Sequence, residues 1–135
     1  MSASAVHLAV VSIGSNIEPE LNLERARDIV AAEHRLVDES PLIRTDPEGY
    51  LAQPDFLNGA WLVETSLEQT AFVAYLKGVE DRLGRQRGGI KAGPRKIDLD
   101  LIGWDGRVVH AEYPAKDYVA IPVDALLRRH GIGLV

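Results

Sequence analysis

Asp98 and Asp100 are the residues whose types and spacing most directly suggest chemistry. They lie in the alternating run Ile97-Asp98-Leu99-Asp100-Leu101-Ile102, and residues two apart on a strand point to the same face. The two carboxylates therefore project side by side while Ile97, Leu99 and Leu101 face a core. Adjacent like charges repel unless a cation lies between them. Hard oxygen ligands with open positions suit Mg²⁺, which keeps water and binds substrate phosphates. The plainer alternative is a solvated strand face carrying two acids. The preceding stretch weighs on the choice: Arg85, Arg87, Lys91, Arg95 and Lys96 are five of the 15 basic residues, with no acid between 85 and 96. Gly88, Gly89 and Gly93 in the same stretch let backbone approach a ligand. A basic, glycine-rich segment leading into a carboxylate pair is what phosphoryl chemistry with a nucleotide and Mg²⁺ requires, because arginine forks grip phosphate oxygens and a metal neutralises developing charge.

These groups need a scaffold. Residues 6–13, a valine-rich apolar run ending at Gly14-Ser15-Asn16, read as a buried strand and a turn. Leu23, Ala26, Ile29 and Val30 share one face of an amphipathic helix over 21–33. A second strand is expected near 36–44, where Pro41 implies an edge position or a bulge. Pro47, Gly49 and Pro54 make 45–55 a long loop, and 56–64 reads as a third strand. Phe72, Leu76, Val79 and Leu83 recur at the helical period. Thr65 or Ser66 is expected to cap that helix with Glu68 or Gln69, and Gly84 to end it. A long loop over 84–94 leads to the strand at 97–102. Asp105-Gly106 is a hairpin turn with its return strand starting at Val108-Val109. Residues 119–127 are expected to form a short strand running into a helical turn near Pro122. This order predicts an α+β fold, a ferredoxin-like βαββαβ antiparallel sheet with two helices on one face and an added C-terminal hairpin, in one domain over 1–135.

Composition narrows the class. The chain of 135 residues is 46% hydrophobic and 26% charged, an ordinary globular balance. It has no cysteine, hence no disulfide framework or thiolate metal site. No signal peptide or membrane span is expected, and a cytoplasmic location fits. A net charge of −5 argues against general binding to nucleic acid or membranes, so any anion must be held by a local basic cluster.

The stretch Lys91-Ala92-Gly93-Pro94-Arg95-Lys96-Ile97-Asp98-Leu99-Asp100-Leu101-Ile102 resembles the signature of the 6-hydroxymethyl-7,8-dihydropterin pyrophosphokinases of folate biosynthesis. Three further blocks agree in order: Ser12-Ile13-Gly14-Ser15-Asn16, then Thr45-Asp46-Pro47 through Gln53-Pro54-Asp55-Phe56-Leu57-Asn58, then Glu80 with Leu83-Gly84-Arg85-Gln86-Arg87. The resemblance covers about residues 8–110.

The resemblance implies a pyrophosphoryl transfer from ATP to the hydroxymethyl group, with release of AMP and two Mg²⁺ ions on Asp98 and Asp100. It implies catalytic roles for Arg85, Arg95, Asp98 and Asp100. It assigns the nucleotide to Glu80, Arg85, Arg87, Lys91, Arg95 and Lys116, and the pterin to Thr45, Phe56, Asn58 and Tyr118. An asparagine amide donates and accepts at once, which suits a 2-amino-4-oxo ring, and two aromatics can sandwich a flat heterocycle. Taken residue by residue, Glu80 better suits a helix-surface acid in a local pair, Asn58 equally suits a strand-start residue bonding its own backbone, and Phe56 and Tyr118 better suit core packing.

Some positions depart from the family pattern. Ala92 replaces a tryptophan, and Asp46 stands where an apolar residue or proline is usual. The segment His110-Ala111-Glu112-Tyr113-Pro114-Ala115-Lys116 is shortened, so the family's nucleotide-contacting histidine is not transferred to His110. Lys116 stands for an arginine, keeping the charge without the bidentate fork. These departures motivate a second possibility, a paralogue that binds a pterin or nucleotide without turnover or acts on another pterin. A third, an RNA-binding module, lacks the aromatic stacking motif on its sheet.

Overall fold

The computed structural model describes residues 5–85 and 93–135. Six strands form one antiparallel sheet: β1 (His7–Ser15), β2 (Arg35–Glu39), β3 (Ile43–Thr45), β4 (Phe56–Thr65), β5 (Asp98–Trp104) and β6 (Arg107–Val108). Three helices accompany them: α1 (Pro19–Glu33), α2 (Gln69–Arg82) and α3 (Asp117–His130). The strand order is β2-β4-β1-β5-β6, with β3 also paired to β4. β1 is thus central, flanked by β4 and β5, and its valine-rich run is buried on both faces as continuous apolar strands are.

The period-2 pattern distributes side chains between two cores. Ala9, Val11 and Ile13 of β1, Leu57, Trp61 and Val63 of β4, and Leu99 and Leu101 of β5 face α1 and α2. Leu23, Ala26 and Val30 of α1 and Phe72, Leu76 and Val79 of α2 close that layer. The alternate residues Val10, Ala60, Leu62 and Ile102 pack against Val119, Val123, Leu126 and Leu127 of α3.

That third helix corrects the expectation of a strand and a helical turn over 119–127. Its buried residues include 119, 120, 123, 126 and 127, which is helical spacing. Pro122 lies inside the helix without ending it, and Gly131 terminates it at φ 64. The sheet is therefore covered on both faces, not one. α2 also begins differently: its N-cap is Glu68 with no side-chain cap bond, and Thr65 Oγ1 instead accepts from the N–H of Leu67 at 3.0 Å. Gly84 follows the C-cap Leu83 at φ 83, as expected.

Pro41 divides the second strand into β2 and β3, both on β4. β2 lies at the sheet edge with a register shift between Leu36 and Asp38. The Asp105-Gly106 turn has both residues at positive φ, 49 and 86, and joins β5 to β6. β6 is two residues long and, among the described residues, pairs only with Gly103 and Trp104 and leaves the Asp98–Leu101 half of β5 without a strand neighbour on that side. Much of the expected loop over 84–94 lies outside the described residues.

Candidate functional site

Strand parity assembles the site. By parity Phe56 and Asn58 of β4, Gly14 of β1, and Asp98 and Asp100 of β5 belong to the α3 side of the sheet, although at the edge of β5 Asp100 also meets Lys77 of α2 at 3.5 Å. α3 packs on Val10, Ala60, Leu62 and Ile102, further along the same strands. The uncovered end of that face forms a cleft of about 520 Å³. Of the residues singled out in the sequence, Thr45, Phe56, Asn58, Arg85, Arg95, Asp98 and Tyr118 line it.

Asn58 is cradled. It pairs across the ladder with Gly14, and a Cβ at residue 14 would lie 2.6 Å from Asn58 Oδ1. Glycine is required there because the amide occupies the space a side chain would take. The Asn58 Nδ2 group donates to Thr45 Oγ1, and the residue is 6% exposed. Among the described residues, the amide oxygen and one N–H remain to meet a ligand edge.

The charged wall is built from α2 and the start of β5. Because β6 stops short, the backbone of Leu99 turns to α2 for partners. Its N–H donates to Glu80 Oε2 at 2.7 Å, and its carbonyl accepts from Lys77 Nζ at 3.4 Å. Glu80 is fully buried and also binds Arg85 at 2.7 Å and Lys77 at 3.6 Å. It is thus neither a surface acid nor an open ligand group here, but a buried strut between helix, strand and arginine. Arg85 Nη1 reaches on to Asp98 at 3.1 Å. Among the described residues, the Arg85 Nε is buried with no hydrogen-bond partner, a donor left for an anionic oxygen.

Asp100 lines a second cleft, of about 290 Å³, with Lys77, His110 and the apolar side chains of Val73, Leu76, Leu99, Leu101 and Val109. Burial, and then the charge of Asp98, push its carboxyl up to about 6, against the opposing pull of Lys77 and His110. Lys77 lies 3.5 Å away and His110 Nε2 3.9 Å away. Two hard oxygen donors two residues apart on one strand, one of them with its carboxyl pushed up, fit a divalent cation. Asp100, His110 and Glu112 bring one ligand atom each within 4.8 Å of one another.

Several of these groups escaped the sequence reading. Asn16, 3% exposed, ties two loops together: its Nδ2 donates to Gln53 Oε1 and the Pro54 carbonyl, both at 2.9 Å, and its Oδ1 accepts from the N–H of Arg95 at 2.8 Å. Ser15 Oγ donates to the Lys96 carbonyl at 2.6 Å. The turn after β1 therefore sets the position of Arg95, whose Nη1 donates to the Gly93 carbonyl at 3.0 Å. Glu48 lines the larger cleft and pairs with Lys116 at 2.9 Å. That pair spans from the 45–55 loop to the start of α3 and raises the ammonium pKa of Lys116. The Tyr118 hydroxyl donates to Glu112, and its pKa is raised by burial first and that carboxylate second. Lys77, His110 and Glu112 carried no local motif; only the fold brings them to the carboxylates. Arg87, Lys91 and Ala92 lie outside the described residues.

A family model described as 7,8-dihydro-6-hydroxymethylpterin-pyrophosphokinase matches residues 10–128. A 2-amino-4-hydroxy-6-hydroxymethyldihydropteridine pyrophosphokinase from Helicobacter pylori is 29% identical, over 84% of this chain and 77% of the relative. The protein of the same name from Pseudomonas aeruginosa is 38% identical, over 68% of this chain and 58% of its own. The folic acid synthesis protein fol1 of Schizosaccharomyces pombe is 34% identical over 78% of this chain, which spans 15% of that protein.

Proposed function

The chain belongs to the 7,8-dihydro-6-hydroxymethylpterin-pyrophosphokinase family, and from that premise we propose that it transfers a pyrophosphoryl group from ATP to the hydroxymethyl oxygen of 6-hydroxymethyl-7,8-dihydropterin, in folate biosynthesis. The observation that carries the proposal is the meeting of two unlike clefts along one strand. Asp98 faces the larger, with Asn58 and two aromatics, and Asp100 faces the smaller. A flat amide-bearing ring suits the first, between Phe56 and Tyr118. A purine with its phosphates suits the second, which offers apolar walls, Lys77 and His110. The finer architectural reading, one ferredoxin-like domain, is supported by the order β2-β4-β1-β5 and by α1 and α2 sharing one face.

Asp98 and Asp100 would hold Mg²⁺, which when bound supplies charge neutralisation at the phosphates. The chain's own residues do the rest. Asn58, steadied by Thr45, orients the pterin so that its hydroxymethyl group points toward the Asp98 end of the cleft. Arg85, braced by Glu80, and Arg95, braced through Asn16, offer guanidinium donors to phosphate oxygens. Lys116 and Glu48 draw the 45–55 loop toward α3 and help exclude water. A nucleotide role for Glu80 is then indirect, through Arg85 and Lys77. Arg87 and Lys91 complete the proposed phosphate-binding set. No described helix is long and apolar enough to cross a membrane, and a cytoplasmic enzyme with small-molecule partners is the proposed setting.

The test is AMP release from Mg-ATP and 6-hydroxymethyl-7,8-dihydropterin, with a control lacking the pterin. Pterin-dependent AMP is expected. Its absence from a folded protein that still binds both ligands would overturn the proposal.

A further inference from the structure

We propose that Glu112 takes the proton from the attacking hydroxyl during transfer, an inference that rests on the pyrophosphokinase reading of the site. Its placement carries the argument. Glu112 lines the larger cleft with Phe56, Asn58 and Asp98, while a carboxylate oxygen lies within 4.8 Å of ligand atoms of Asp100 and His110. Those two residues line the smaller cleft. The carboxylate thus stands where an acceptor hydroxyl from one cleft and a phosphate chain from the other must meet.

Its two ends are held. The Tyr118 hydroxyl donates to Oε2, and the Glu112 backbone N–H donates to His110 Nδ1 at 3.2 Å. Oε1 is 3.9 Å from that nitrogen, too far for a hydrogen bond, so among the described residues it is left to accept one. The other ring nitrogen, Nε2, faces Asp100 at 3.9 Å. His110 therefore steadies Glu112 through its backbone. Three neighbouring carboxylates are committed elsewhere, Asp98 to Arg85, Asp100 to Lys77 and Glu48 to Lys116; Asp46 also lines the larger cleft but is not among the groups that gather with Asp100 and His110.

In the step, the hydroxymethyl O–H bond breaks and its proton passes to Glu112 Oε1. The oxygen forms a bond to the β-phosphorus of ATP. The bond from that phosphorus to the α,β-bridging oxygen breaks, and AMP leaves with the bridging oxygen. The proton then passes to water, since the Glu112 side chain is 34% exposed.

Glu112→Gln keeps the shape and the acceptor for Tyr118 but cannot take the proton. It is expected to lower the single-turnover rate by roughly 100-fold, within the range for a positioned base, while pterin affinity by fluorescence and the thermal midpoint stay at the wild-type values. Formate added to Glu112→Ala is expected to restore part of the rate. If Glu112→Gln keeps its rate within about threefold, if it loses pterin affinity or stability instead, or if formate restores nothing, the inference falls and the proposed function stands. Wild-type protein that binds both ligands yet yields no AMP would overturn both.

Discussion

Replacing Glu80 with alanine tests how the charged wall is supported. The substitution removes the acceptor of the Leu99 N–H at 2.7 Å, the partner of Arg85 at 2.7 Å and the more distant partner of Lys77 at 3.6 Å. A charge-assisted hydrogen bond contributes roughly 1.5–3 kcal/mol, and breaking a buried ion pair from one side costs about 3–5 kcal/mol. The losses do not simply add here. Arg85 keeps Asp98 at 3.1 Å, and Lys77 is 41% exposed, so it can turn to water. The expected loss is therefore about 3–4 kcal/mol, near the lower end of the buried-pair range. Glu80→Gln keeps the shape and an acceptor for Leu99 and should lose only about 1.5–2.5 kcal/mol. For a domain of this size the alanine variant should melt roughly 10–15 °C lower. Equilibrium unfolding in urea, with the slope compared as well as the midpoint, is the measurement. An alanine variant within about 1 kcal/mol of wild type, well below the cost of breaking a buried pair, would refute the strut. So would a glutamine variant no better than alanine.

Gly14→Ala should push the Asn58 amide out of register with little effect on stability. A pterin dissociation constant raised about tenfold, or roughly 1.4 kcal/mol, is expected by fluorescence titration. Asn16→Ala removes three hydrogen bonds and leaves the Arg95 N–H short of its side-chain acceptor. A loss of about 2–3 kcal/mol is expected, with a raised KM for ATP, read from unfolding and steady-state kinetics. Asp98→Asn should abolish metal-dependent AMP release while circular dichroism stays unchanged; unchanged activity would remove the metal assignment. For Asp100 the folded carboxyl titrates near 6, against an ordinary value of 3.8. Mg²⁺ affinity measured by calorimetry should therefore fall as the pH drops through about 6. Without metal the folded protein holds that proton more tightly than the unfolded chain, so Asp100 should disfavour folding increasingly as pH rises from about 4 to 6. Asp100→Asn should remove both trends.

What could be foreseen from sequence was what is local. The alternation around Asp98 and Asp100 needs only the strand period, and it placed both carboxylates on one face with Leu99 and Leu101 opposite. The faces of α1 and α2, the hairpin at Asp105-Gly106 and the break at Pro41 likewise follow from short-range patterns. The helix α3 was missed because Pro122 argues locally against it, whereas burying Val119, Val123, Leu126 and Leu127 against the second sheet face outweighs that local cost. Thr65 and Ser66 matched a capping pattern, but Thr65 ends β4 and its hydroxyl serves the turn instead. Asn16, Lys77 and Glu112 lay beyond sequence reasoning for a different reason. Asn16 and Lys77 gain their meaning from partners far along the chain, and Glu112 from the cleft the fold builds around it, and periodicity records neither.

The two-residue length of β6 has a consequence for the protein's behaviour in a crowded cell. Among the described residues it leaves the front of β5 as a sheet margin, and an unpaired margin is a template for another chain's strand. Here the Leu99 N–H and carbonyl are already engaged by side chains of α2, one anionic and one cationic. The flanking residues Asp98 and Asp100 add charge that an incoming strand would have to desolvate. On the proposed function this margin must stay open for a nucleotide to reach the two carboxylates, and the groups that would prepare it for that ligand also make it a poor surface for polymerisation. Variants that neutralise Lys77 or Glu80 would then be judged by light scattering as well as by turnover, because both functions rest on the same backbone groups.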